Sequence, residues 1–259
     1  ACSSHFHDEI HEGDILDVRA PAGHFVLDPD TTVPTVLIAG GIGVTPLMSM
    51  LRWCLAEEPA RAVHLYYGAR HGGEQAFKKA LEGLAAAHPG FHLHVVYSSP
   101  AEGDVQGRDF HHVGHIDVDL LRRTLPAGRH RFYVCGPPAM MNALLPALSA
   151  WGVLPEDIRS EAFCPASLLP AKGESKGPVT GAVAPMDIAF RRSGRTLVWD
   201  GQDQNLLDFA ERHGLAVESG CRSGSCGSCA VRLVSGTVRY AQVPDHEVAA
   251  GHCLLCAGA

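Results

Sequence analysis

No run of the sequence approaches the ~20 apolar residues needed to span a bilayer. Its most apolar stretch, VLIAGGIGV at 36–44, is short and interrupted by glycines. An internal repeat, a low-complexity tract and a basic segment leading into an apolar core of the secretory kind are all missing. Positive charge is short as well: 21 Lys and Arg stand against 28 Asp and Glu, a formal net charge of -7. A surface of that sign does not attract nucleic acid or anionic lipid, so neither is expected as a partner. The first residue is Ala rather than Met, which, with no leader pattern, reads as a fragment of a longer cytoplasmic protein.

What is present is the composition of a globular chain, 46% hydrophobic and 19% charged over 259 residues, enough for two separate cores. Nine cysteines are spread unevenly, five of them between Cys221 and Cys256. An odd count with that crowding favours a metal centre in a reducing compartment over a disulfide framework.

From Val33 to about Glu161, short β-rich runs alternate with helical ones, the pattern of a parallel sheet covered by helices. Strands are predicted at 35–40, 62–68, 91–97, 131–136 and 157–163. Over 46–56, Leu47, Met50, Leu51, Cys54 and Leu55 form one apolar stripe at helical spacing. Residues 164–185 are rich in Pro, Gly, Ser and Lys and read as a linker. A second unit follows: MDIAFRR and RTLVWDG around a Ser193-Gly194 turn predict a hairpin, 205–214 a helix ended by Gly214, and 230–236 a strand. Residues 1–31 offer two short strands, GDILDVRAP and GHFVLDP, too little for a domain.

The spacing Cys221-x4-Cys226-x2-Cys229, with a further cysteine after 26 intervening residues, is the thiolate arrangement of a plant-type [2Fe-2S] cluster. Gly220, Gly224 and Gly227 allow the turns that aim backbone N–H groups at sulfur. A four-Cys zinc site is the competing reading, but such sites pair two C-x2-C knuckles and only one pair here has that spacing. Spacing alone leaves Cys253 and Cys256 both open as the fourth ligand.

A second motif, AGGIGVTPLMSML at 39–51, follows a strand and opens a helix. Thr45 is expected to cap that helix and Pro46 to occupy its first turn, leaving the positive end of the dipole at the glycine loop, where a pyrophosphate fits. Alone, such a loop is a weak signal.

With three other segments it resembles the ferredoxin-reductase superfamily, especially the flavohaemoglobin and phthalate-dioxygenase reductases. Gly40, Gly41, Gly43, Val44, Thr45 and Pro46 resemble that family's NAD(P) pyrophosphate loop. Cys135-Gly136-Pro137-Pro138 is similar to its CGP motif beside the nicotinamide, and Glu161-Ala162-Phe163 to its E-x-F, whose aromatic ring covers the flavin. ACSSHFHDEIHEGDILDVRAPAGHF resembles the end of its flavin domain, which would place Ser3, with Ser4, at the FAD pyrophosphate. Leu254-Leu255-Cys256 is similar to the last ligand of plant-type ferredoxins, which selects Cys256 and implies that the final strand of that fold is missing. The family's R-x-Y-[ST]-x-[ST] flavin motif is absent.

The resemblance implies an α/β nucleotide-binding domain at 32–163, a linker at 164–185, an α+β, β-grasp ferredoxin-like domain at 186–259, and the end of a β-barrel flavin domain at 1–31. It implies FAD, NAD(P)H and a [2Fe-2S] cluster, with Cys135, Glu161 and Phe163 in the catalytic region and Cys221, Cys226, Cys229 and Cys256 on the metal. An electron-acceptor protein or domain, such as an oxygenase or haem protein, is the expected partner. The rival expectations are the reductase half of a fused oxygenase or dioxygenase, and a ferredoxin-like carrier whose nucleotide domain is not catalytic. Arg70 would favour NADPH if it met a 2′-phosphate, although the resemblance leans slightly to NADH. His5, His7 and His11, and His111, His112 and His115, are expected to be solvated, and Asp203 and Asp208 could meet a basic acceptor.

Overall fold

The computed structural model describes residues 2–18, 23–161, 185–240, 244 and 246–258, the side chains of Cys2 and Ser3 excepted. Its first half is one parallel sheet: β1 (Thr35–Gly40), β2 (Val63–Ala69), β3 (Phe91–Tyr97), β4 (His112–Val113), β5 (Arg131–Cys135) and β6 (Ile158–Glu161), in the order β4-β3-β2-β1-β5-β6. Strand β1 is buried at every position, which is why it reads as an unbroken apolar run rather than an alternating one.

Helices α2 (Val44–Glu57) and α3 (Lys78–Ala87) cover one face, where Leu47, Leu51, Cys54 and Leu81 pack on Leu37, Leu65 and Tyr133. Helices α4 (Val118–Thr124) and α5 (Pro138–Ala150) cover the other, with Leu121, Leu144 and Leu148 against Val36, Ile38 and Phe132. The strand order turns back between β1 and β5, and a crevice opens outside the carboxyl ends of strands at such a point. In register across the sheet, Val95, Tyr67, Ala39, Cys135 and Glu161 form one row next to that edge.

The second half is smaller. β7 (Met186–Phe190) and β8 (Arg195–Trp199) form the expected antiparallel hairpin. Asn205 caps α6 (Leu206–Arg212) by accepting the Asp208 N–H at 2.9 Å. β9 (Ala230–Arg232) pairs with β10 (His252–Leu254). Its single core joins Trp199, Leu207 and Phe209 to Cys229, Cys253 and Cys256.

Three expectations change. No strand forms in the described parts of 9–18 and 23–34, and a short helix, α1 (Cys2–Asp8), stands where an extended flavin-domain end was expected. Barrel strands are held by the ladders of their neighbours; here residues 26–30 are held by side chains of the sheet instead. Arg61 donates to the Asp28 and Asp30 carbonyls at 3.0 and 2.9 Å, and the Asp28 N–H donates to Tyr133 Oη at 2.8 Å. Arg159 and Arg131 reach the Asp28 carboxylate at 2.7 and 3.0 Å.

The cap of α2 differs too, because the chain passes straight from a 3-10 turn at Gly41–Gly43 into helix. Gly43 takes the cap position, and Thr45 Oγ1 donates back to the Ile42 carbonyl at 2.9 Å. Finally, His112 is a part-buried residue of β4, whereas His111, in the preceding bend, and His115 are exposed. His112 belongs to a histidine ladder across β2, β3 and β4, in which His64 stacks on His92 at 4.6 Å and His94 on His112 at 5.8 Å. Among the described residues, no helix is long and apolar enough to cross a membrane.

Candidate functional site

Two loops meet at the crevice, one leaving β1 and one leaving β5. A Cβ on Gly43 would lie 2.2 Å from the Cys135 carbonyl oxygen, and one on Gly136 would lie 3.0 Å from the Gly40 nitrogen. Only glycine permits this approach. Gly41 adopts φ +53°, a left-handed conformation that opens the turn. The loops therefore interlock by backbone, and the 14-residue α2 points its positive end at the cradle so formed. Pro46 sits in the first turn, as expected, and Pro138 opens α5 behind Pro137. The residues present fit a bound pyrophosphate: a glycine-rich turn, with Ile42 as its one side chain, at a helix N-terminus.

Cys135 is fully buried, and its thiol belongs to the core under α2 rather than to the open crevice. What it presents to the glycine loop is its carbonyl. Glu161, its in-register neighbour on β6, is half-buried, and burial raises its carboxyl above the ordinary range. Beside β6 lies an open cleft of about 400 Å3, lined by His24, Phe25, Arg159, Glu161 and Ser225 among others. Phe163 lies outside the described residues, as does the side chain of Ser3; Ser4 is exposed on α1. Arg70 follows β2 and is paired with Glu74, its Nε donating to Glu74 Oε2 at 2.8 Å.

The cysteine loop is organised around sulfur. The N–H groups of Ser223, Ser225 and Cys226 donate to Cys221 Sγ at 3.4, 3.3 and 3.3 Å, and the Cys221 N–H donates to Cys226 Sγ at 3.3 Å. Left-handed Arg222 (φ +57°), Gly224 and Gly227 make this wrapping possible. Arg222 is fixed in turn by Glu211 of α6 at 2.6 and 2.8 Å. The Cys256 N–H donates to Cys229 Sγ at 3.5 Å.

The thiols thus come as two pairs, Cys221 with Cys226 and Cys229 with Cys256, and two thiolates per iron is what a four-Cys [2Fe-2S] cluster asks. Among the described residues, no three His, Cys, Asp or Glu side chains form a cage for a single ion. Hydrogen bonding from Cys256 brings the Cys229 thiol down to about 6, while the same contact, with burial, raises Cys256. Burial opposes ionisation of Cys226, but the Cys221 amide and Ser228 outweigh it and hold that thiol below its usual value. Cys253, on β10, is raised by burial. Asp203 and Asp208 are engaged by Arg212 and Arg222 at 2.7 and 3.4 Å.

Comparison with known proteins finds the oxidoreductase NAD-binding domain at residues 37–145 and the 2Fe-2S iron-sulfur cluster binding domain at 189–258. The two matches support the resemblance to reductases of the ferredoxin-reductase type with a C-terminal [2Fe-2S] domain. A flavohemoprotein of Bacillus cereus is 38% identical over 167 residues, covering 64% of this chain and 42% of that protein. The FAD/NAD binding domain of a Vibrio cholerae nitric oxide dioxygenase superposes with a TM-score of 0.54 at 29% identity, over 62% of this chain and 63% of that one. Full-length CYP116B46 from Tepidiphilus thermophilus superposes at 0.51 with 26% identity, over 99% of this chain and 30% of that one. The chain spans less than half the length of the curated relatives it matches.

The structure brings together the Gly40–Pro46 and Cys135–Pro138 segments and places Glu161 in the row beside Cys135. The arginines that hold residues 26–30, Arg61, Arg131 and Arg159, were missed from sequence. Each pairs with groups tens of residues or more away, and no local spacing signals that.

Proposed function

We propose that this chain is the electron-transfer module of an NAD(P)H-dependent reductase, passing hydride from the nicotinamide to FAD and single electrons through a [2Fe-2S] cluster to an acceptor protein or domain. When bound, the flavin and the cluster supply the conversion of a two-electron donor into one-electron output. The Gly41–Gly43 cradle would hold the pyrophosphate, and the CGPP turn packed against it would orient the nicotinamide end. There Cys135 would act by positioning backbone, and half-buried Glu161 would border the nicotinamide and flavin rings, a role also proposed for Phe163, which lies outside the described residues. The cleft beside Glu161 supports a flavin at this edge, next to Ser225 of the cluster loop. Cys221, Cys226, Cys229 and Cys256 hold the cluster, and the amides on Cys221 and Cys226 stabilise negative charge there. The seven described thiols, none in a disulfide, suit a reducing cytoplasmic setting.

The observation that carries this reading is a single chain holding two thiol pairs and an interlocked glycine cradle at the switch point of a parallel sheet. The test is an anaerobic visible spectrum of the protein carrying its flavin domain, before and after NADH. Bleaching of both flavin and cluster bands is expected. Cluster bands that persist with NADH and NADPH and yield only to dithionite replace this reading with that of an electron carrier.

A further inference from the structure

Strand β2 passes directly to Arg70 and His71 and then to a 3-10 turn at Gly72–Glu74. Because Gly68 is in register with Gly40, that turn borders the same crevice as the pyrophosphate cradle, on the side away from β5. In a sheet of this topology the second strand end is where an adenosine ribose is met.

We propose that Glu74, by occupying the Arg70 guanidinium, makes the site selective for a nucleotide with a free ribose 2′-hydroxyl, NADH over NADPH; this rests on the nucleotide reading above. A 2′-phosphate is received by the planar fork of an arginine, two N–H groups to two oxygens. Here one bidentate edge of the guanidinium is taken: Arg70 Nε donates to Glu74 Oε2 at 2.8 Å and Nη2 meets Oε1. His71 Nε2 also faces Glu74 Oε1, at 3.6 Å.

The surroundings add further negative charge. The Asp104 carboxylate accepts the Gly72 and Ala101 N–H groups at 3.2 and 2.8 Å, directly beneath the turn. The flanking cations Lys78 and Arg108 are both held by Asp109, at 2.6 and 2.7 Å. A dianionic phosphate arriving here meets carboxylates and cations already neutralised by them. A 2′-hydroxyl, in contrast, is a donor that the Glu74 carboxylate can accept. The guanidinium that would favour NADPH if it met a 2′-phosphate is instead paired with a carboxylate, in line with the slight lean to NADH.

The test is calorimetric titration of the chain with 5′-ADP and with 2′,5′-ADP at low ionic strength, for the unaltered protein, Glu74→Gln and the double variant Glu74→Gln/Arg70→Gln. The unaltered protein is expected to bind 5′-ADP more tightly. Glu74→Gln should tighten 2′,5′-ADP about tenfold while moving 5′-ADP by less than about twofold, and the gain should vanish in the double variant. If the unaltered protein binds both probes equally, or Glu74→Gln leaves 2′,5′-ADP unchanged while 5′-ADP still binds, the role of Glu74 is overturned alone. If 5′-ADP does not bind the unaltered protein at all, the nucleotide site itself falls, and this inference with it.

Discussion

The two halves of the chain solve the same problem with unequal means. The nucleotide half buries a six-stranded sheet between two apolar layers, with Tyr66, Tyr67, Tyr97 and Tyr133 fully enclosed. The cluster half has two two-stranded sheets and one core, and three of the side chains in that core are cysteines. One half is a scaffold that carries a site on its rim. In the other, cysteines proposed as ligands are part of the scaffold, an arrangement that would couple metal binding to folding.

The strongest way to break this contrast is to remove iron. Anaerobic chelation, or Cys229→Ser, should abolish the cooperative calorimetric transition of the cluster half and leave that of the nucleotide half in place. Trp199, which packs edge-on to Phe209 at 5.1 Å, reports locally through its near-ultraviolet dichroism. A cluster-half transition that survives loss of iron would show that its apolar core suffices and that the contrast is wrong.

Next in size is Gly43→Ala. The added methyl would stand 2.2 Å from the Cys135 carbonyl, so the two loops must part. A loss of about 1–3 kcal/mol is expected from such overpacking, together with loss of 5′-ADP binding, while the cluster spectrum stays as it was. Unchanged 5′-ADP affinity would mean that the interlocked loops are not the cradle.

What could be read from the sequence follows the same division between local and distant. Strand β1 was placed to the residue because a doubly buried parallel strand is a continuous apolar run, and β3 because its aromatic and β-branched residues stand between turn residues. The Cys221–Cys229 loop was legible because its ligands lie within one turn of chain. The fourth ligand was not fixed by spacing, since Cys253 and Cys256 both fall near the right distance; the contact of Cys256 with Cys229 is a tertiary fact. The strands expected before residue 31 failed for a related reason: alternation proposes a strand, but a ladder partner must supply its hydrogen bonds. Arg131 and Asp28 are about a hundred residues apart, and nothing in either neighbourhood announces their pairing.

The histidine ladder shows how register creates a property that no segment possesses, and its expected effect is the smallest and most conditional. His64 pairs in register with His92, Tyr66 with His94, and Val96 with His112, so the rings align on one face only after the strands assemble. Burial, then the neighbouring histidines, brings His64 and His94 down to about 4. Both are therefore neutral in the folded sheet at pH 5, whereas in the unfolded chain they take up protons below about 6.5. The unfolded state binds more protons, so stability is complete above about pH 6.5 and is lost as pH falls toward 4. At pH 5 this amounts to about 2 kcal/mol from each as an upper bound. Scanning calorimetry between pH 7 and 5 should lower the nucleotide-half transition, and His64→Leu should flatten that dependence by removing the more deeply buried of the two groups. A slope unaltered in that variant would place the acid sensitivity elsewhere, with His94 as the next group to replace.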